Sequence, residues 1–334
     1  MTTDYDVIVI GGGLGGLSAG ALLAKNGCKA LLVEQSERIG GCCSTFERDG
    51  FHFDIGASIV EAISTMEKVF VKLGTTLQEE VDLLPCDPIY SCIFRDGSKV
   101  TYSLDLDKTA DAIGAISPED KENFYRFAET FAKFIDGGGE DFFTTPVNTM
   151  QDFIQLMQKR PVIPEFMPYF IRSYQDVLKT FFKSEKIRQS MAYQSFYASH
   201  PPDLCAGIFA MLPYLEHLGV YYPRGGMIQI PLAVKRLGEK FGMEVRMNQL
   251  VTKVVVDQNR RASGVVLADG STCSAKVIVS NVNAKTLYLD LIGEQHLPWL
   301  TRIGIKSYEL SLTSPMIYLG LDQPDPQAPR IGAL

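Results

Sequence analysis

Six residues near the amino end, Gly11-Gly12-Gly13-Leu14-Gly15-Gly16, constrain the fold of this chain more than any other stretch. They follow a short apolar run, Tyr5–Ile10 (YDVIVI), which reads as a buried parallel strand. They open an alanine-rich helix, Leu14–Asn26, that Gly27 closes. A second apolar run, Ala30–Glu34 (ALLVE), completes a βαβ unit. In this setting G-x-G-x-x-G is a nucleotide cradle. Gly11 permits the tight turn, Gly13 lets the backbone approach a diphosphate, and Gly16 lets the helix pack on the strand. The helix start at Leu14 and Gly15 turns free N–H groups toward the negative charge. Glu34, followed by Gln35, ends the second strand where an acid bonds a ribose diol, and its charge disfavours the 2′-phosphate of NADP.

The rest of the chain divides by character. With 334 residues it is too long for one ordinary domain. Residues 1–75 carry the βαβ unit. Residues 76–219 read as a mostly helical α+β region. Ser117 is placed as an N-cap with Pro118 in the first helical position and Asp120 in the first turn. That helix presents Phe124, Phe127, Phe131 and Phe134 on one face and stops at Gly137-Gly138-Gly139. Pro161–Lys183 reads as broken, aromatic-lined helices. The α/β character returns over 220–293. Pro223-Arg224-Gly225-Gly226 leads into a helix over Met227–Phe241, with Pro231 near its first turn, where proline is best tolerated. A strand begins at Glu244–Arg246, and Val251–Asp257, Gly264–Ala268 and Ser274–Ser280 alternate like a β-meander. Residues 294–334, with a strand-like Ser311–Leu321, are expected to return to the inserted domain and to stop short of completing it. The expected fold is therefore α/β: a Rossmann-like domain with a β-meander, interrupted by a mostly helical α+β substrate domain.

A second group of motifs narrows the nucleotide. Glu34, Arg38, Gly40 and Gly41 form E-x-x-x-R-x-G-G, and G-F-x-F-D-x-G follows at Gly50–Gly56. This resembles the extended fingerprint of glutathione-reductase-type flavoproteins, in which a second glycine pair lies along the flavin's ribityl–pyrophosphate arm. Tyr222-Pro223-Arg224-Gly225-Gly226, and a meander from Val251 ending in Ser280-Asn281, strengthen the match. Together these motifs resemble the phytoene desaturase family, which includes carotenoid isomerases and retinol saturases. The resemblance covers about half of the chain, both α/β segments.

The resemblance implies FAD as cofactor and oxidoreductase chemistry on a long apolar polyene, by desaturation, saturation or isomerisation. It implies cofactor contacts from Gly11, Gly13, Leu14, Gly15, Gly16, Glu34, Gln35, Arg38, Gly40 and Gly41. Val251 is implied at the adenine end, and Arg224 is named near the flavin or pyrophosphate. An amine-oxidase-like flavoenzyme and an inactive flavin-binding fragment stay open as alternatives. The resemblance also implies a late glycine-rich segment that closes the flavin site, and none is seen before Leu334. The expectation is thus a piece of a longer protein.

Other chemistries fit less well. Basic residues number 32 against 39 acidic ones, a net charge of −7 without a basic stripe, which argues against a nucleic-acid partner. Asp4 and Asp6 stand where a secretory n-region would be basic, and no apolar run reaches about 20 residues. The seven cysteines include no C-x-x-C pair, so free thiols in a cytoplasmic setting are expected, with peripheral membrane contact left open. His52, His200, His217 and His296 lack metal-ligand spacing. Ser18 lies in G-x-S-x-G but inside a helix, away from the strand-to-helix corner that a nucleophile elbow needs. Cys42 and Cys43 read as packing thiols beside the flavin. The phenylalanine face has two readings, ordinary core or a lipid tunnel and membrane-facing mouth. No acid–base dyad is visible, and no catalytic residue is named.

Overall fold

The computed structural model describes residues 3–61, 63–198, 200–310 and 316–323. In chain order its strands are β1 (Tyr5–Ile10), β2 (Ala30–Val33), β3 (Thr45–Arg48), β4 (Phe51–Asp54), β5 (Leu83–Pro85), β6 (Tyr90–Ile93), β7 (Lys99–Tyr102), β8 (Tyr221–Pro223), β9 (Glu244–Arg246), β10 (Val251–Val256), β11 (Ala262–Leu267) and β12 (Thr272–Ser280). A six-stranded sheet runs in the order β10-β11-β12-β1-β2-β9. β12, β1, β2 and β9 are parallel, whereas β10 and β11 pair antiparallel and feed β12. The sheet therefore joins residues 5–33 to residues 244–280.

The alternation of side chains along a strand explains why β1 and β2 are apolar throughout. Val7, Val9, Ala30 and Leu32 join a core with Leu17, Ala21 and Ala24 of the helix Leu14–Lys25 and with Ile230, Ala233 and Val234 of the helix Gln229–Lys240. Ile8, Ile10, Leu31 and Val33 face the other way, onto Val251, Val254, Val265 and Leu267 of the meander. A single polar substitution in either strand would strand a polar group between two apolar layers.

The helical region has its own core. Spacings of three and four residues place Phe124, Phe127, Phe131 and Phe134 on one stripe of the helix Pro118–Asp136. All four are fully buried, packed with Ile163, Phe166, Tyr174, Phe181 and Phe182. The phenylalanine face is thus core, and the tunnel or membrane-mouth reading of it is set aside. Each such side chain contributes roughly 1.5–3 kcal/mol by leaving water. Ser117 occupies the N-cap position, but its side chain makes no capping hydrogen bond. Buried Asp120 instead pins the helix start, accepting from the amides of Lys183 (2.9 Å) and Ser184 (2.8 Å).

Smaller pairs complete the chain. β3 and β4 form a hairpin, and β5 pairs with β8, tying residues 83–85 to residues 221–223. Of the strand expected over Ser311–Leu321, residues 311–315 lie outside the described residues and 316–321 carry no strand. There Tyr318 lies against Phe46 and Phe53 of the hairpin and donates to the Ile55 carbonyl at 3.0 Å. Side-chain packing, rather than a ladder, holds it. No described helix is long and apolar enough to cross a membrane.

Candidate functional site

A groove of about 770 Å³ is lined by residues at the carboxyl ends of β1 and β2, where open parallel sheets take ligands. Its floor is built from two glycine segments lying on each other. Gly13 and Gly40 form a parallel bridge, and the Gly40 amide donates to the Gly12 carbonyl at 2.8 Å. Gly40 adopts φ +102°, and a Cβ there would stand 2.4 Å from the Cys43 carbonyl oxygen. A Cβ on Gly41 would meet only Gly13 atoms, the nearest at 3.4 Å. Backbone without side chains is what permits this close approach.

Glu34 serves two structures at once. Its Oε2 accepts from the Gly12 amide at 2.6 Å and its Oε1 from the Ser36 amide at 2.8 Å. The carboxylate therefore braces the glycine turn while lining the groove. Each oxygen keeps a further lone pair with which to accept from a hydroxyl. The Gln249 amide donates to the Glu34 carbonyl at 2.9 Å, which brings residues 249–251 beside the acid. Val251 sits there at the start of β10 and lines the groove.

Of the residues singled out in the sequence, Gly11, Gly13, Leu14, Glu34, Gln35, Gly40, Gly41 and Val251 line the groove. Gly15 and Gly16 are not in the lining but pack against Asn281, which is. A Cβ on Gly16 would stand 2.0 Å from the Gly11 carbonyl oxygen, so this glycine is required by packing of helix on turn. Arg38 is drawn instead to Glu37, at 2.9 Å. Arg224 also lies outside the groove lining, because the β5–β8 pairing holds it against Asp82. Its Nε donates to the Asp82 carboxylate at 2.7 Å and its amide to the Asp82 carbonyl at 2.8 Å.

Asn281 was legible only as the end of a motif, yet it is part of the wall. Its amide donates to the Ile10 carbonyl at 2.9 Å, and its carboxamide lies over Gly13 and Gly15. Ala57, Leu250, Val282, Thr286 and Leu291 also line the groove, and no sequence pattern marks them. Cys42 and Cys43 are there too, both as free thiols. Burial, with the Asp54 carboxylate nearby, pushes the Cys43 thiol up to about 11, so it stays protonated at neutral pH. Ser18 is within the helix Leu14–Lys25. Among the described residues no cluster of His, Cys, Asp and Glu could hold a metal.

The model of the family "Flavin containing amine oxidoreductase" matches residues 14–309. Phytoene desaturase of Fusarium fujikuroi is 31% identical over 290 residues, which span 86% of this chain and 50% of that protein. The zeta-carotene-forming phytoene desaturase of Myxococcus xanthus is 28% identical over 340 residues, covering 98% of this chain and 62% of that one. This chain thus spans about half to two thirds of the length of the curated relatives it matches. An oxidoreductase from Methanosarcina mazei shares the fold at TM-score 0.59 and 17% identity, over 90% of this chain and 64% of that one. Wild-type putrescine oxidase bound to putrescine does so at TM-score 0.57 and 18% identity, over 90% and 63%. The chain belongs to the flavin containing amine oxidoreductase family, with phytoene-desaturase-like relatives.

Proposed function

We propose that this chain is the nucleotide-binding part of a FAD-dependent oxidoreductase that acts on a long apolar polyene. One observation carries the cofactor assignment: two stacked glycine segments, Gly11–Gly16 and Gly40-Gly41, meet at a groove edged by the Glu34 carboxylate. A side chain at Gly13 or Gly41 would intrude on the cradle a diphosphate needs. In this reading the amides at the start of the helix Leu14–Lys25 hold the diphosphate. Glu34 accepts from the ribose hydroxyls, and the 249–251 segment flanks the adenine. Residues 1–75 and 220–293 form the FAD domain and 76–219 the substrate domain. When bound, the flavin supplies a two-electron hydride acceptor. The chain's own part is to orient the ring, exclude water and manage the proton.

The polyene assignment rests on the phytoene desaturase relatives. Met150, Ile171 and Leu204 are strongly exposed on the helical region, and we assign them to contact with a bilayer that holds the substrate. The test is anaerobic incubation of FAD-loaded protein with phytoene-bearing liposomes and, separately, with putrescine. Bleaching of the flavin by the polyene alone supports the reading. Bleaching by the amine alone replaces it with the amine-oxidase-like one.

A further inference from the structure

Away from the groove lining, the fold encloses a set of acceptors that lack partners. Glu216, on the helix Leu212–His217, is 1% exposed, and neither of its carboxyl oxygens has a hydrogen-bond partner. Glu61 Oε1 is likewise enclosed and unpaired. The Glu61 charge bears on Glu216, and the reciprocal backbone pairing of Val60 with Tyr221 (2.8 and 3.0 Å) holds their segments together. A second observation is independent of the carboxyls. Gln194 and Ser195 are fully buried, and Gln194 Oε1 and Ser195 Oγ are also without partners. The Gln194 carboxamide stands beside Glu216 and acts to lower its carboxyl against the burial that raises it, and its Nε2 donates to the Tyr90 hydroxyl at 3.5 Å. A cluster this rich in idle acceptors calls for a proton or a proton-bearing ligand.

We propose that Glu61 and Glu216 are an acid–base pair in which Glu216 stays protonated and Glu61 accepts a proton from the substrate as it is oxidised. The surroundings support this division. Burial, and then the Glu61 charge, push the Glu216 carboxyl up to about 9, while burial alone raises Glu61 to about 7. The groups that face the pair are Tyr90 and Cys92 from β6, Tyr102 from β7, Tyr174, and Tyr193 and Tyr197 with hydroxyls 2.6 Å apart. All are neutral at pH 7, and among the described residues no lysine or arginine offsets the charge. A group titrating near neutrality is suited to general-base work. Glu61 lies four residues beyond Ala57, which lines the groove, and Glu216 stands on the helix Leu212–His217 of the helical region.

This role rests on the proposed function. Forming C=C from a CH–CH unit breaks two C–H bonds. One hydrogen leaves with both electrons to the flavin, and the other leaves as a proton. The Glu61 carboxylate forms an O–H bond with that proton, and solvent later removes it.

Infrared spectroscopy of the FAD-loaded protein at pH 8, where Glu61 is mostly ionised and Glu216 is not, tests the pair without turnover. A protonated-carboxyl band is expected, removed by Glu216→Gln and retained in Glu61→Gln. If no such band is present in the parent protein, the pair is overturned. Anaerobic flavin reduction by phytoene in liposomes then tests the role. Glu61→Gln should slow reduction about 10²–10⁴-fold and flatten its pH profile, Glu61→Asp should restore part of both, and Glu216→Gln should keep a pH-dependent rate. An unchanged rate and profile in Glu61→Gln refutes the proton-acceptor role while leaving the function intact. If the parent protein oxidises no polyene, the function fails, and the base role for Glu61 with it, whatever the infrared band shows.

Discussion

Two neighbouring glycines should fail in opposite ways when given a single methyl group. Gly13 has φ −70° and ψ 171°, a backbone that alanine adopts freely. Its added Cβ would meet only the Asn281 Oδ1, at 2.9 Å, the movable end of a side chain. Gly13→Ala should therefore fold as well as the parent, with a change between about zero and a gain of 1 kcal/mol from reduced freedom of the unfolded chain. The methyl group would stand where the diphosphate must approach. Losing one charged hydrogen bond there costs about 1.5–3 kcal/mol, or about 10- to 150-fold in FAD affinity. Gly16→Ala differs, because its Cβ would lie 2.0 Å from a backbone carbonyl oxygen. The helix must shift, at a cost of about 1–3 kcal/mol, and the melting temperature should fall by about 2–10 °C. Thermal denaturation followed by circular dichroism, with FAD fluorescence titration, separates the two effects. Gly13→Ala binding FAD as tightly as the parent would refute the diphosphate placement.

Other perturbations probe the frame around the groove. Asp54 accepts from Thr45 Oγ1 (2.6 Å), the Met227 amide (2.9 Å) and the Tyr222 hydroxyl (2.7 Å), so Asp54→Ala should cost about 2–4 kcal/mol in urea denaturation. Burial acts to raise the Asp120 carboxyl, but the Lys183 and Ser184 amides, with the Asn123 and Ser117 side chains, together outweigh it and leave it below the usual range. Its contribution is thus present above about pH 3.8 and is lost as pH falls through the depressed value; in Asp120→Ala the acid limb of a stability profile should flatten. Glu216 has the opposite sign. Between 4.5 and about 9 the folded protein holds a proton that the unfolded chain releases, so stability should fall with rising pH by about 1.4 kcal/mol per unit. Glu61, raised to about 7, adds the same slope below that value, so in urea midpoints Glu216→Gln should about halve the slope below pH 7 and abolish it between about 7 and 9.

What could be read from the chain followed locality. β1, the helix after it and β2 are adjacent in sequence, and their apolar runs and glycines are dictated by contacts within 30 residues. The meander was equally plain, since turns at Gln258–Arg261 and Asp269-Gly270 interrupt alternating strands. Arg38 and Arg224 lie outside the groove lining for one reason: a cation near a glycine motif suits phosphate, but an acid decides where it points. Glu37 and Asp82 are those acids, and Asp82 lies 142 residues from Arg224. The Glu61–Glu216 pair was hidden in the same way. Neither glutamate stands in a pattern, and it is tertiary pairing, Val60 with Tyr221, that joins their segments. The phenylalanine stripe was correct as a face, but periodicity cannot say what covers a face. Here Phe166, Phe181 and Phe182 do.

A crystal structure of this chain grown with FAD bears most directly on the whole account. The diphosphate is expected over Gly11–Gly16, within hydrogen-bond reach of the helix-start amides, with the ribose hydroxyls on Glu34 and the adenine beside Val251. A nucleotide found elsewhere, or a saturating titration in which no FAD binds, would contradict it.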